Sequence, residues 1–270
     1  MQVGEGSHRK MENVRRIAIV GAGNVATHLA QALARHYEIV QIVSRHIDNA
    51  RRLATTINPN CHYTDKLSEL EAADAYLISV NDDAIAKVLQ EAPSACREAL
   101  WMHTSGSVGI SVFDGFGSRY GVFYPLQTFS KDVALDIKEV PIFTEGATAE
   151  IEAEMNVIAS AISDHVYHAD SEIRRTIHIS AVYACNFVNH LFSIADRTLS
   201  RHDIPFDVLL PLIKETVRKV TKVSPAEAQT GPAARGDKGI IDKHLAVIDN
   251  ATDRAIYKLL SESIMQNNKQ

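Results

Sequence analysis

The sequence predicts a Rossmann-type, doubly wound α/β domain with a mainly parallel sheet, followed by an all-helical C-terminal domain. Three observations predict it. Short apolar runs alternate with helical patterns through the first half of the chain, as βαβ units require. A Gly-x-Gly-x-x-Ala turn stands directly between the first apolar run and the first amphipathic segment. After Asp170 the strand signals stop and helical patterns take over.

In chain order, the strand candidates are Arg16 to Val20, Ile39 to Ser44, a weak one around His62, Ala75 to Val80, Leu100 to Thr104 and Gly121 to Tyr124. Helical stretches at Val25 to His36, Asp48 to Ile57 and Asp83 to Glu91 separate them, each with the ten-odd residues a crossover needs. Two more strand candidates, Val140 to Thr144 and His165 to His168, flank a helical run from Thr148 to Ser163 and can extend the same sheet. One long helix is predicted from Ser171 to about Arg201, roughly 45 Å at 1.5 Å per residue. Its apolar residues include Ile173, Ile177, Ala181, Val188 and Leu191, joined on other faces by Ile179, Phe187 and Phe192. A helix that is apolar over most of its circumference must be covered on several sides. Pro205 starts the next helix, and Ser224-Pro225-Ala226-Glu227 is a capping box with proline at the first helical position. Gly231-Pro232 breaks the chain, and Asp237 and Asn250 are the expected N-caps of the last two helices. The domain reading is a disordered polar tail over 1–13, a Rossmann domain over 14–169 and a helical substrate and dimerisation domain over 170–270.

Composition narrows the function classes. At about 150 residues per domain, 270 residues suggest two units, and 46% apolar with 23% charged residues is an ordinary globular balance. The net charge is -5 with both signs dispersed, so there is no basic stripe for nucleic-acid phosphates. No apolar run approaches the roughly 20 residues that span a bilayer, and the first 13 residues are polar, so neither a membrane nor secretion is expected and the location reads as cytoplasmic. Cys61, Cys96 and Cys185 are scattered without a CxxC pair and read as reduced, packed thiols. His165 and His168 lie on a strand at a spacing that points them to opposite faces, so no metal site is expected.

The turn Gly21-Ala22-Gly23-Asn24-Val25-Ala26 carries the strongest chemical signal. Gly21 permits the tight turn, Gly23 lets the backbone approach a pyrophosphate on the positive end of the helix, and Ala26 allows close helix-strand packing. Gly21, Gly23, Asn24 and Val25 are therefore expected to hold a dinucleotide. About 20 residues on, where NAD-selective folds place a carboxylate, the sequence has Ser44-Arg45-His46. A hydroxyl with a guanidinium suits a 2′-phosphate, which favours NADP over NAD, unless Arg45 is simply solvated. Two polar loops follow strands at the edge where open sheets bind ligands: Val80-Asn81-Asp82-Asp83 and His103-Thr104-Ser105-Gly106. Val80, Asn81 and Thr104 are expected on the cofactor, although Asn81 or Asp82 can equally be a plain helix cap. His103 and Ser105 are catalytic candidates, with a structural histidine as the alternative. On the long helix, His178, Asn186, Asn189, Ser193 and Asp196 share one wedge at 100° per residue. The polar loop Thr230 to Asp237 adds Arg235, whose Arg-Gly-Asp triplet is read as chance.

With IAIVGAGNVATHLAQAL, HTSGS, YPLQTFS, ACNFVNHL and QTGPAARGDKGIIDKHL in hand, the chain resembles a bacterial family of NADP-dependent oxidoreductases in which a Rossmann-like domain precedes a helical domain of unknown function. In that family the position of Tyr124 is usually histidine. The layout is more distantly similar to pyrroline-5-carboxylate reductase and the β-hydroxyacid dehydrogenases. That resemblance implies NADP(H), a helical dimerisation domain like the 6-phosphogluconate dehydrogenase C-terminal domain, and a substrate site between the domains. The hydroxyacid group carries a catalytic lysine four residues before an asparagine on the long helix; against Asn186 that position is Val182, which argues against a lysine mechanism here.

The expected function is hydride transfer between NADP(H) and a small C=O or C=N substrate, with His103, Ser105, His178, Asn186 and Arg235 at the reaction site. His103 or His178 is the expected proton donor and Arg235 the holder of a substrate carboxylate. The competing reading is a non-catalytic NADP(H)-binding protein that senses redox state. No Gly-x-Ser-x-Gly elbow or metal motif supports a hydrolase or transferase. A homodimer through the helical domain is expected from the apolar surface of the long helix.

Overall fold

The computed structural model describes residues 14–267, so the expected disordered tail at 1–13 lies outside the described residues. Two units make up the chain, one reaching Cys185 and the other beginning at Asn186.

The first unit is built on an eight-stranded sheet. Its strands are β1 (Arg16–Val20), β2 (Glu38–Val43), β3 (His62–Thr64), β4 (Ala75–Ile78), β5 (Leu100–His103), β6 (Tyr120–Pro125), β7 (Ile142–Gly146) and β8 (Val166–His168), in the spatial order β3-β2-β1-β4-β5-β6-β7-β8. Pairing is parallel from β3 through to β6 and again between β7 and β8; β6 and β7 pair antiparallel. The connecting helices are α1 (Asn24–Leu33), α2 (Ile47–Ile57), α3 (Asp82–Glu91) and α4 (Ala149–Ile162), followed by α5 (Ser171–Ala181). The sheet order reverses between β1 and β4. Such a switch point is where doubly wound folds bind ligands.

Alternation along the strands fills both faces of the sheet. Ile17 and Ile19 of β1 join the core under α1, α2 and α4, whereas Ala18 and Val20 join a second core with α3 and the Trp101, Phe113 and Phe116 rings. Trp101 stacks on Tyr76 with ring centroids 4.4 Å apart and donates from Nε1 to the Cys96 carbonyl, so its polar end is satisfied. Burial on both faces explains why these strands read as continuous apolar runs.

The predicted long helix is wound in three parts. After α5 comes a π-helical stretch, Val182–Phe187, and then α6 (Val188–Ser200). This corrects the count of 100° per residue that put His178 and Asn186 in one wedge, because a π-helix bonds i to i+5 and turns less per residue. The helix also begins within the sheet unit and not after it. Arg174, 1% exposed, pairs with the Glu145 carboxylate on β7 and donates to the Val108 carbonyl at 2.7 Å. Ser171 Oγ donates to Glu145 at 2.8 Å and accepts from the Ile110 N–H at 3.0 Å.

The second unit continues with α7 (Leu210–Val220), α8 (Pro225–Ala228), α9 (Pro232–Arg235), α10 (Lys238–Val247) and α11 (Ala251–Asn267). Pro205 caps a 3-10 turn that runs into α7, and the Ser224 capping box with Pro225 forms in full. Asp237 accepts from the Ile240 N–H and Asn250 from the Asp253 N–H, each at a helix start. Arg-Gly-Asp is thus a helix junction, with Gly236 in the left-handed conformation between α9 and α10. The unit is tied by Arg197 to Asp253 and by Arg201 to Asp249, yet Ala233 and Ile241 are its only buried apolar residues among those described. None of the described helices is long and apolar enough to cross a membrane.

Candidate functional site

The glycine turn is fixed by backbone constraints. Gly21 has φ +124°, and a Cβ there would lie 2.0 Å from the Ser79 carbonyl oxygen, so no other residue fits. Its N–H reaches the Val43 carbonyl at 2.7 Å, which ties the turn to β2. Gly23, at the N-cap of α1, has nothing within 4 Å of its missing Cβ. The first turn of α1 carries no acidic residue and no side-chain cap. Its N–H groups and partial positive charge are therefore available to an anion, with Gly23 leaving the approach open.

Along the carboxyl edge of the sheet runs a cavity of about 1000 Å³. Strand order gives its lining a sequence. Ser44, Arg45 and His46 follow β2; Gly21, Gly23, Asn24 and Val25 follow β1; Val80 and Asn81 follow β4; Thr104, Ser105 and Gly106 follow β5; and Tyr124 comes from β6, with His178 from α5. Every residue expected to hold the cofactor lines this one cavity, together with Ser105 and His178. Arg45 is exposed and has no hydrogen bond or ion pair among the described residues. Asn81 occupies the N-cap of α3 without a side-chain cap bond, which leaves its amide free to face a ligand.

At the β6 end, Tyr124 Oη and His178 Nδ1 stand 3.0 Å apart. Gly106 makes room for them, since a Cβ there would lie 2.7 Å from His178 Nδ1 and 2.8 Å from Tyr124 Cζ. Burial pushes the Tyr124 phenol up to about 12, with Arg174 pulling the other way, so the hydroxyl keeps its proton near neutral pH. The buried Arg174–Glu145 pair sits one turn before His178 and anchors that turn to the sheet.

His103 does not reach the cavity. It is fully buried, stacks on Phe113 at 5.6 Å, and accepts at Nδ1 from the Ser105 N–H at 3.2 Å. Desolvation first, and the Arg174 charge second, push its pKa down to about 3. A neutral imidazole behind the wall positions the Ser105 loop and delivers no proton, which corrects its expected role as donor. Ser105 Oγ accepts from the Ser107 and Val108 N–H groups, shaping the loop that bounds the cavity. In the helical unit, Asn186 lies in the π-helical stretch and Arg235 at the end of α9. Both are exposed and have no polar side-chain partner among the described residues; the Asp237 carboxylate caps α10 and does not pair with Arg235.

The sequence reading gave Tyr124 no chemical role and used the loop after β6 only as part of the family resemblance, in YPLQTFS. Gln127, Phe129 and Lys131 from that loop line the cavity. Its contacts with the glycine turn and α1 span more than 100 residues of chain: Asn24 Nδ2 donates to the Phe129 carbonyl and Lys131 Nζ to the Ala22 carbonyl. No local pattern encodes such pairing, although the polar run Gln127-Thr128-Phe129-Ser130-Lys131 at a strand's carboxyl end was a usable signal.

The chain is similar to known proteins over nearly its whole length. Residues 16–101 match the family described as NADP oxidoreductase, coenzyme F420-dependent, and residues 140–264 match a domain of unknown function, DUF2520. A Bacteroides fragilis protein named as a candidate NADP oxidoreductase is 42% identical, with 94% of this chain and 99% of that one covered and a TM-score of 0.86. A Thermotoga maritima protein, TM1727, shares the fold at 21% identity over 94% and 98% of the chains, with a TM-score of 0.69. So does an imine reductase from Myxococcus stipitatus solved with NADP+, at 13% identity over 93% and 92%, with a TM-score of 0.64. No curated protein matches the sequence. By its likeness to the Bacteroides protein over nearly the whole of both chains, this chain belongs to the NADP oxidoreductase family that joins a Rossmann-type domain to the DUF2520 helical domain.

Proposed function

We propose that the chain is an NADP(H)-dependent oxidoreductase that moves a hydride to or from a small C=O or C=N substrate, with Tyr124 and His178 as its proton path. The supporting observation is one cavity that starts at the unpaired Arg45, passes an uncapped helix end, and finishes on a hydrogen-bonded phenol and imidazole. The residues fit the cofactor. Ser44 and Arg45 would hold the 2′-phosphate, the Gly21 to Val25 turn the diphosphate, and Val80, Asn81 and Thr104 the nicotinamide half. NADPH, when bound, supplies the hydride.

The chain itself handles the proton. With Nδ1 protonated, His178 donates to Tyr124 Oη and leaves the phenol hydrogen free to point into the cavity. Tyr124 then gives that proton to the oxygen or nitrogen that gains electrons, and the half-buried His178 ring resupplies it from solvent. In the oxidative direction the same pair removes a proton. The unpaired Asn186 and Arg235 keep their donors for a ligand, and a guanidinium suits a small carboxylate. The solved imine reductase with NADP+ supports a C=N substrate only at the level of a shared fold.

A screen of NADPH consumption at 340 nm with small ketones, oxo acids and cyclic imines tests this reading. Turnover is expected with at least one class, and Tyr124→Phe should lower kcat by about 10² to 10⁴ while leaving NADPH affinity unchanged. Tight NADPH binding without turnover of any class would favour a redox-sensing role. We also propose a homodimer through the helical unit, supported by Leu212, Val217, Val247 and Leu259, which are 64, 59, 72 and 68% exposed within the single chain. Light scattering that shows a stable monomer at micromolar concentration would refute it.

A further inference from the structure

The loop after β6 carries a cation that the proposed chemistry leaves unused. Lys131 Nζ donates to the Ala22 carbonyl at 2.8 Å, beside the amino end of α1. Within ion-pair distance of this ammonium there is no carboxylate among the described residues. A lysine at a helix N-terminus faces the positive end of the dipole and is disfavoured there. One neutral carbonyl compensates it poorly. Neighbouring contacts nonetheless hold the loop in place: Asn24 Nδ2 donates to the Phe129 carbonyl at 2.9 Å, His28 Nε2 meets the Ser130 carbonyl at 2.9 Å, and the His28 and Phe129 rings are 5.4 Å apart.

The same place combines an uncapped helix N-terminus, a glycine with open space where its Cβ would be, and a half-buried ammonium without a counter-charge. The helix end and the ammonium both lack a negative counterpart and the glycine leaves room for one, which a diphosphate would supply. We infer that Lys131 is a diphosphate-binding residue of the dinucleotide, and that the segment 126–131 is a strap joining the diphosphate subsite to Tyr124. This rests on reading the cavity as a dinucleotide site. The contact is distinct from that of Arg45, because the diphosphate is common to NADP and NAD whereas the 2′-phosphate belongs to NADP alone.

Calorimetric titration of the full chain with NADP+, NAD+ and adenosine 2′-monophosphate separates the two. Lys131→Met should weaken NADP+ and NAD+ by the same factor, roughly tenfold to a hundredfold for a charge-assisted contact, and leave the monophosphate unchanged. Its binding should also depend less steeply on salt, and Lys131→Arg should recover most of the affinity. Arg45→Ala should show the converse pattern, losing NADP+ and the monophosphate but not NAD+. A merely structural tie would lower the melting temperature of Lys131→Met with both dinucleotide affinities within twofold of wild type, and that result overturns the inference. If wild type binds neither dinucleotide, the reading of the cavity itself fails, an outcome visible before any variant is made.

Discussion

The two units of this chain solve the burial problem differently. The sheet unit closes an apolar core on each face of its strands and pairs buried polar groups such as Glu145 with Arg174 and Trp101 Nε1 with the Cys96 carbonyl, leaving Arg97 Nε, His103 Nε2 and Arg174 Nε without a partner among the described residues. The helical unit buries Ala233 and Ile241 and, within the single chain, leaves Leu212 and Val217 of α7, Val247 of α10 and Leu259 and Leu260 of α11 exposed. One unit is finished by its own residues, and every lining residue of the large cavity comes from it. The apolar side chains that the other leaves exposed are what supports the proposed homodimer.

The closed core of the sheet unit depends most on the buried ion pair. Glu145→Ala leaves the Arg174 charge buried and unpaired, and should cost about 3 to 5 kcal/mol in urea unfolding. Replacing both by apolar residues, as Glu145→Leu with Arg174→Met, should cost less than the single change, because no charge is stranded. Equal losses would mean that the pair acts through packing alone. A second test concerns the other end of the same unit. Arg45→Ala should lower NADP+ affinity by about 1.5 to 3 kcal/mol with little change in melting temperature, since the exposed guanidinium has no hydrogen bond or ion pair among the described residues.

A third expected effect is a pH slope, small near neutral pH and growing as the medium becomes acidic. His103 titrates near 6.5 when unfolded and about 3 when folded, so the unfolded chain takes the proton first. Its stabilising contribution is complete above about pH 6.5 and is lost as pH falls towards 3, at about 1.4 kcal/mol per pH unit. His103→Gln should flatten the acid limb of stability by up to that slope. An unchanged limb would show that the ring finds a proton-accepting partner on folding.

Much of the fold was legible in the sequence because its periodicities are local. Ile17, Ala18, Ile19 and Val20 announce a strand buried on both sides, and Gly21 and Gly23 announce the turn that follows. Helix caps at Ser224, Asp237 and Asn250 were readable for the same reason, since each bonds within three residues. The contact between Tyr124 and His178 was not, although His178 itself was an expected site residue. Tyr124 and His178 are 54 residues apart, and only the packing of α5 against the sheet brings them together. His103 looked like a donor because its loop sits at the right edge of the sheet; what sequence does not show is that its ring turns inward onto Phe113. The π-helical winding at Val182–Phe187 carries no signature in residue type that an α-helical count detects.

A structure of the full chain with NADP+ bound decides whether Tyr124 and His178 form the proton path. The 2′-phosphate is expected against Ser44 and Arg45, the diphosphate over Gly23, and the nicotinamide ring beside Tyr124 Oη, within about one small substrate's width of it. A nicotinamide more than about 10 Å from both Tyr124 and His178 would put it beyond any hydrogen-bonded reach, and would contradict their role as the proton path.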